Sequence, residues 1–379
     1  MVGNLPDLYD FSSQKNSHQM YIPLEFWFCR YNGLALPLVS LASANVKISV
    51  KFRKFEQCTI VGPTHSMEIV EDICPFLPGD YIEQTLDRQT VYGYVINYDY
   101  VNRRLFYVKI HSPTALKKNF EAKPDATSNN LFDIQPNPKS DYTIRKSTNL
   151  EIYVQPKPGT REMIENIRIP KLNLIHSYLY VDYVLLDNEE RRRFTSTNHE
   201  YLIEQIQREI EYGIRSPNPS QKLNFLHLVK EFYWVTQLDL MIGPNSMNDY
   251  FNYTTSPVRL KNGDFYGQSL VQESELILNS VSRFGSRTTE YVNLVQPYEH
   301  HWRGPQLGIN TYSIALIPEE QQPSSAINMS KVDQAELKLK LNRTVNPNNT
   351  ARIRTYCLNY NVLRIAFNMG SLAFEADMS

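Results

Sequence analysis

Residues 21–53 read YIPLEFWFCRYNGLALPLVSLASANVKISVKFR, and this stretch decides the fold class. It joins a dense aromatic run, an apolar segment broken by Gly33 and Pro37, and a ribbon of strict alternation. Val46, Ile48, Val50 and Phe52 fall on one side of an extended chain, while Lys47, Ser49, Lys51 and Arg53 fall on the other. Period-two patterning of this kind predicts a strand buried on one face, hence a sheet laid against a core.

Working outward, the 379 residues are enough for two domains of ordinary size, each with its own core. The 25 Tyr, 17 Phe and 22 Pro set against only 14 Gly favour strands and Pro-bounded loops over helix bundles. With 39 basic and 40 acidic residues, the chain has no overall electrostatic drive toward nucleic acid or anionic lipid, which argues against a genome-coating role. Cys29, Cys58, Cys74 and Cys357 form no CxxC pair and read as reduced thiols. No apolar run reaches the roughly eighteen residues a membrane-spanning helix needs, and the N-terminus lacks a signal-peptide pattern. These features together predict a soluble protein of the cytosol or of something assembled there.

Residues 21–187 read as one β-rich unit. Val91–Tyr98 and Arg104–Ile110 flank a polar turn, Leu150–Val154 is a further strand, and 112–148, broken by four prolines, is expected to be a surface loop. Ser177–Leu186 is apolar on both faces, the pattern of a strand in the middle of a sandwich. The charged run Asn188–Arg193 comes next, its glutamates balancing the RRR triplet. Thr197 and Glu200 then stand at capping-box spacing ahead of Leu202, Ile203, Ile206 and Ile210, which predicts a connecting helix stopped at Gly213. The second unit opens near Lys222 with LNFLHLVKEFYWVTQLDLMI as a long strand or strand pair. It continues through the faultless alternation of Glu336–Leu341 and ends on Tyr360–Phe367. The expected fold is all-β, with domains at 1–195 and 196–379.

Five blocks in order carry a resemblance. They are the opening PLEFWFCR and GLALPL segments, the ERRRF and HEYLIEQ connector, the run from Phe225 to Trp234, the block from Val295 to Ser324 with QPYEHHWRG and IPEEQQPS, and the C-terminal Asn361–Ile365 with Gly370 and Leu372–Phe374. Together they resemble the double jelly-roll major capsid proteins of nucleocytoplasmic large DNA viruses. Leu228, Gln321 and the AFNMGSLAFE ending depart from the family's usual residues. The resemblance implies two jelly rolls side by side with a short connecting helix. Eight strands cannot be counted in residues 1–187, so the first roll is expected to be N-terminally incomplete, as in a fragment, split reading frame or truncation. The function it implies is structural: a homotrimeric, pseudo-hexagonal capsomer of an icosahedral shell. Its expected partners are copies of itself, neighbouring capsomers and minor capsid proteins, with no direct nucleic acid and with proximity to an inner viral membrane. Its expected place is the virion, assembled in the host cytoplasm.

Under this reading Phe26, Trp27 and Phe28 serve core and inter-roll packing. Trp302 and Arg303 are interface anchors, and Arg30, Trp234 and His300 join them as interface or structural residues. Chemistry is expected nowhere. Glu299, His300 and His301 read as a strand whose adjacent histidines point to opposite faces, without a third metal ligand nearby in sequence. His227 and Glu231, four apart, read as sharing one strand face and not as a zincin helix. No GxSxG, P-loop or GxGxxG occurs, and Gly263–Gly267 reads as a loop. The N-x-S/T triplets at Asn252, Asn328, Asn342 and Asn348 are weak surface markers. No metal or cofactor is expected. The rival readings are a related double jelly-roll scaffold or minor capsid protein, and a carbohydrate-binding β-sandwich with sugar-stacking aromatics.

Overall fold

A computed structural model of the chain describes residues 16–54, 57–110, 119–124, 141–165, 174–242, 249–258, 260 and 265–374. The chain is built from strands. Two units of different architecture are joined by one helix, α1 (Asn188–Ser196).

The second unit follows a jelly-roll path. Its strands are β8 (His199–Ile214), β9 (Ser220–Lys222), β10 (Leu228–Leu238), β11 (Val271–Leu278), β12 (Val281–Thr288), β13 (Ile309–Ser313), the short β14 (Ile327–Asn328), β15 (Ala335–Leu341), β16 (Ala351–Ala366) and β17 (Met369–Leu372). One sheet runs β8-β16-β10-β13, with β14 on β10 and β17 folded back on β16; the other runs β12-β11-β15-β9. If the eight long-path strands are counted in chain order, leaving out β14 and β17, the sheets are 1-8-3-6 and 2-7-4-5. The chain therefore crosses the sandwich repeatedly, as two interlocked Greek keys require. The core lies between the sheets. Phe232 and Trp234 of β10 meet Leu276 of β11 and Leu337 and Leu339 of β15 there. Alternation places them: in β15 Leu337, Leu339 and Leu341 are buried while Lys338 and Lys340 are exposed.

The first unit is a single curled sheet of seven antiparallel strands in the order β6-β5-β2-β3-β4-β1-β7. They are β1 (His65–Glu68), β2 (Tyr81–Leu86), β3 (Gln89–Asp99), β4 (Arg104–Ile110), β5 (Ile144–Lys146), β6 (Asn149–Val154) and β7 (Met163–Ile164). The sheet closes on itself. Beyond β6, Pro156 bridges Ile69, the Val70 amide donates to Gln155 O at 2.9 Å and the Lys157 amide donates to Glu68 O at 2.9 Å. Met67, Ile82, Leu105, Tyr107, Phe120 and Ile144 fill the interior. No second sheet faces this one among the described residues of 16–187. Most of the expected loop at 112–148 lies outside the described residues, and its last part is strand β5.

Several expectations are corrected. The helix expected over 202–210 is strand β8, which pairs with β16 from Ile214↔Ala351 to His199↔Ile365. The apolar spacing fitted a helical face. However, four β-branched isoleucines (Ile203, Ile206, Ile210, Ile214) and a sixteen-residue partner strand favour the ladder. Gly213, with φ +66°, sits in that strand and terminates no helix. The helix is instead the charged run before it. Asp187 accepts from the Glu190 amide at 2.8 Å as its N-cap, and Glu189 and Glu190 favour the positive N-terminal end.

The stretches Val46–Arg53 and Ser177–Leu186 belong to no sheet, and neither is buried: Val50 is 58% exposed and Leu185 92%. Their patterns are those of strands, but no neighbouring strand completes the ladder among the described residues. Residues 26–43 lie against the connecting helix and the second unit: Ser40 Oγ donates to Phe194 O at 2.6 Å, the Ser43 amide donates to Asn368 O at 3.2 Å, and the Trp27 ring stands 6.3 Å from Tyr201. Gly308, just before β13, has φ +90°, and a Cβ there would come within 2.6 Å of Tyr253 Cβ, so this turn admits glycine alone.

Candidate assembly surface and the charged cluster behind it

The strand β10 carries Lys230 and Glu231 in the middle of its most apolar run, and both side chains are buried. Charges in such a place need partners, because an unpaired ion in a dry interior is prohibitively costly. Lys230, 0% exposed, binds Glu204 of β8 and donates to the Pro318 carbonyl at 2.6 Å. Its Nζ lies 5.2 Å from the Tyr360 ring centroid. Glu204 also pairs with Arg30, so the aromatic PLEFWFCR segment is pinned to the second unit through a buried carboxylate. Burial pulls the Lys230 ammonium below the usual lysine range against the pull of Glu204, and burial pushes the Tyr360 hydroxyl up to about 12.

Beside this triad stands a second group. A π-type turn, Tyr291–Val295, runs into the short helix α2 (Gln296–His300), and the chain turns extended at His301. The imidazole of His301 reaches Glu231 through Nε2 and Glu319 through Nδ1 at 3.1 Å. Glu231 in turn accepts from the Tyr233 hydroxyl, and Glu319 accepts from the Trp302 amide at 3.2 Å. Burial opposes the charge on His301, yet the hydrogen bonds and charges of Glu231 and Glu319 outweigh it, and its pKa stands above the usual histidine value. Burial, then the neighbouring Glu231, drives the Tyr233 hydroxyl far upward.

A pH dependence follows. A raised histidine pKa stabilises the fold fully below the ordinary value of about 6.5, and the contribution is lost as pH rises through the folded pKa. Thermal stability of the wild type is therefore expected to fall, relative to His301→Gln, as pH is raised from about 6 to about 9. Parallel melting curves across that range would show that His301 is not clamped.

In front of these groups the surface is apolar. Tyr298, Trp302 (80% exposed), Leu316 and Ile317 stand in solvent, with Arg303 exposed beside them. Two contacts hold this surface together: His300 Nδ1 lies 3.0 Å from the Leu316 carbonyl, and the Trp302 amide is tied to Glu319. An exposed tryptophan is thus held against a buried ionic cluster.

The residues singled out from sequence fall as follows. Trp302, Arg303 and His300 lie together on this surface. Arg30 lies in the triad. Trp234 is 1% exposed and donates Nε1–H to Ser274 Oγ at 3.3 Å across the sandwich. Phe26 is 39% exposed and stacked on Phe28 at 5.1 Å, and Trp27 meets Phe28 edge-on at 5.3 Å. These aromatics cover the outside of the second unit and fill no core, a correction caused by their short 3₁₀ turns, which bury no residue in Trp27–Cys29. His300 and His301 are not neighbours on a strand, since the first closes α2 and the second is extended. His227 precedes β10 with φ +67°, and a bulge between Val229 and Glu231 breaks the register, so the two do not share a face. Glu204, Lys230, Glu231, His301 and Glu319 were missed as a site. The available signal was the Lys-Glu pair inside LVKEFYWV, since charges in a buried strand demand distant partners.

Two family models match the chain: the large eukaryotic DNA virus major capsid protein over residues 190–371, and the major capsid protein N-terminus over residues 4–98. The "Probable capsid protein 4" of Acanthamoeba polyphaga mimivirus is 48% identical over 377 residues, covering 99% of this chain and 72% of that protein. The "Major capsid protein" of Phaeocystis pouchetii virus is 28% identical over 432 aligned positions, covering 94% of this chain and 65% of that protein. Among solved structures, the PBCV-1 virus capsid aligns with a TM-score of 0.43 at 20% identity, covering 82% of this chain and 88% of that one. With family models matching both parts of its length and a relative nearly half identical along almost all of it, the chain belongs to the large eukaryotic DNA virus major capsid protein family.

Proposed function

We propose that the chain is a structural subunit of a viral capsid that works by self-assembly and not by chemistry. The observation that carries this reading is the rigid, outward-facing Trp302 and Arg303 surface seated on the buried His301 and Lys230 clusters, in a chain of this family. Two β lobes joined at α1, repeated three times about an axis, give a ring of six similar lobes. Heterologous contacts then saturate within a homotrimer and leave outer edges for neighbouring capsomers of an icosahedral shell. Trp302 and Arg303 are the anchors of that contact, as residue types enriched where subunits meet. The net charge of −1 suits laterally packed copies, because strong like charge would repel them. The virion is the place of action, with assembly in the host cytoplasm and minor capsid proteins as further partners.

Trp302→Ala combined with Arg303→Ala is expected to shift the chain from oligomer to monomer in sedimentation velocity while leaving its melting temperature within a few degrees of wild type, since both side chains are exposed. An oligomer of unchanged mass would move the contact elsewhere.

A second reading, a related scaffold or minor capsid protein, draws on the relative whose printed name numbers it as capsid protein 4. Abundance in purified particles separates the two readings: a main shell protein dominates the particle mass, and an accessory one is present in few copies.

A further inference from the structure

Lys109, near the end of β4, stands in a polar cluster of the first unit that the Trp302 surface does not touch. Its Nζ donates to Glu162 Oε2 at 2.5 Å and to Asn119 Oδ1 at 2.8 Å. The other carboxylate oxygen, Glu162 Oε1, accepts from the Tyr107 hydroxyl at 2.6 Å. Little water reaches these groups: the Lys109 side chain is 13% exposed and that of Glu162 5%. Tyr107 is wholly buried, with Phe120 edge-on to its ring at 5.0 Å. Burial pushes the Tyr107 hydroxyl well above the usual tyrosine range, so it remains a donor and fixes the carboxylate.

The fold brings Asn119 to this pair. The next residue, Phe120, is buried in the core of the first unit. The Glu121 amide donates to Gln84 Oε1 at 2.8 Å, and Gln84 Nε2 donates back to the Glu121 carbonyl at 2.8 Å. Glu121 also bridges Arg161, the neighbour of Glu162. Lys109 itself is carried by β4, where it pairs with Gly93 of β3. Backbone contacts therefore hold the amine, the carboxamide and the carboxylate together.

These are the parts of an amide exchange. The carbonyl carbon of Asn119 lies one bond beyond the oxygen that Lys109 touches, and holding reactants in such an arrangement replaces the rare encounter that keeps amines and amides inert in water. Two charges withdrawn from water are both removed when a proton passes from the amine to the carboxylate, and the nitrogen lone pair is then free to attack.

We infer that Lys109 and Asn119 become joined by a side-chain amide bond, formed once in the folded chain with Glu162 as the proton carrier. Lys109 gives one proton to Glu162, and its lone pair attacks Asn119 Cγ to form the Nζ–Cγ bond. A second proton shed by Nζ is delivered to Asn119 Nδ2, and the Cγ–Nδ2 bond breaks. The ammonia leaves as ammonium with the proton that Glu162 first took, which restores the carboxylate. No electrons are exchanged with another group and no co-reactant is consumed. Asn119 is exposed, so the leaving group has a way out. The bond clasps the segment bearing Phe120 to β4, and it holds whether or not the chain forms the trimer proposed above.

The test is the mass of the full chain, purified folded and then denatured. The wild type is expected to be lighter than its sequence by one ammonia. Trypsin is expected to release a branched fragment joining residues 105–117 to 119–139, because an acylated Lys109 is not cut and Lys123 precedes Pro124. Glu162→Gln keeps both reacting groups and an acceptor for Tyr107, and is expected to restore the full mass and separate fragments. Lys109→Arg and Asn119→Ala are expected to do the same, and a cooperative melt of each variant shows that it folds. The wild-type mass decides the matter even where a variant does not fold. A folded wild type of full mass would overturn the inference. So would a loss of water in place of ammonia, with Lys109 joined to the fragment carrying Glu162, or a branched fragment that survives Glu162→Gln.

Discussion

Lys230→Met is expected to destabilise the chain by about 3–5 kcal/mol, the cost of removing one partner from a buried ion pair. Lys230 is wholly buried, and its loss leaves Glu204, itself 2% exposed, with Arg30 alone. The Pro318 carbonyl loses its donor as well. Methionine fills much of the space, so the penalty reports charge and not a cavity. The same reasoning predicts a rescue: Lys230→Met with Glu204→Leu removes both buried ions, lets Arg30 turn to solvent, and is expected to lie within about 2 kcal/mol of wild type. Urea melts of the single and double variants measure both. Additive losses would show that the pair does not act as a unit.

Trp234→Ala has the second large effect, about 3–5 kcal/mol, the cost of emptying a large aromatic site in a packed core. Trp234 lies in β10 between Thr355 of β16 and Asn310 of β13, and its indole crosses the sandwich to Ser274. Trp234→Phe keeps most of the volume but leaves the buried Ser274 hydroxyl without its donor, and is expected to cost about 1–3 kcal/mol. Fluorescence provides a second readout. Of the three tryptophans, Trp234 alone is in the core, so its removal should abolish the blue-shifted emission while Trp27 and Trp302 remain. A melt unchanged by Trp234→Ala would mean that Trp234 does not hold the two sheets together.

Strands whose alternation matched a local partner were legible in the sequence. Glu336–Leu341 lies within β15, and the polar turn after Val91–Tyr98 joins β3 to β4 as a hairpin. Where two periods competed, the local reading failed. Ile203, Ile206 and Ile210 satisfy a helical face as well as a strand, and only the distant β16 decides between them. The charged Asn188–Ser196 run carries no buried residue, so hydrophobic periodicity could not reveal α1; its signals were the Asp187 cap and the acidic first turn of Glu189 and Glu190. The proposed assembly surface was half legible. Trp302 and Arg303 lay inside a recognisable block, but the charges that fix it come from separate parts of the chain. Lys230 finds Glu204 26 residues away and Pro318 88 residues away, a convergence no local pattern encodes.

If this polypeptide's product is geometry, a subunit that closes on copies of itself, light scattering on the full chain will report three times the 44.2 kDa mass as concentration is raised. A single 44.2 kDa species persisting at the highest concentration would mean that it does not close on itself.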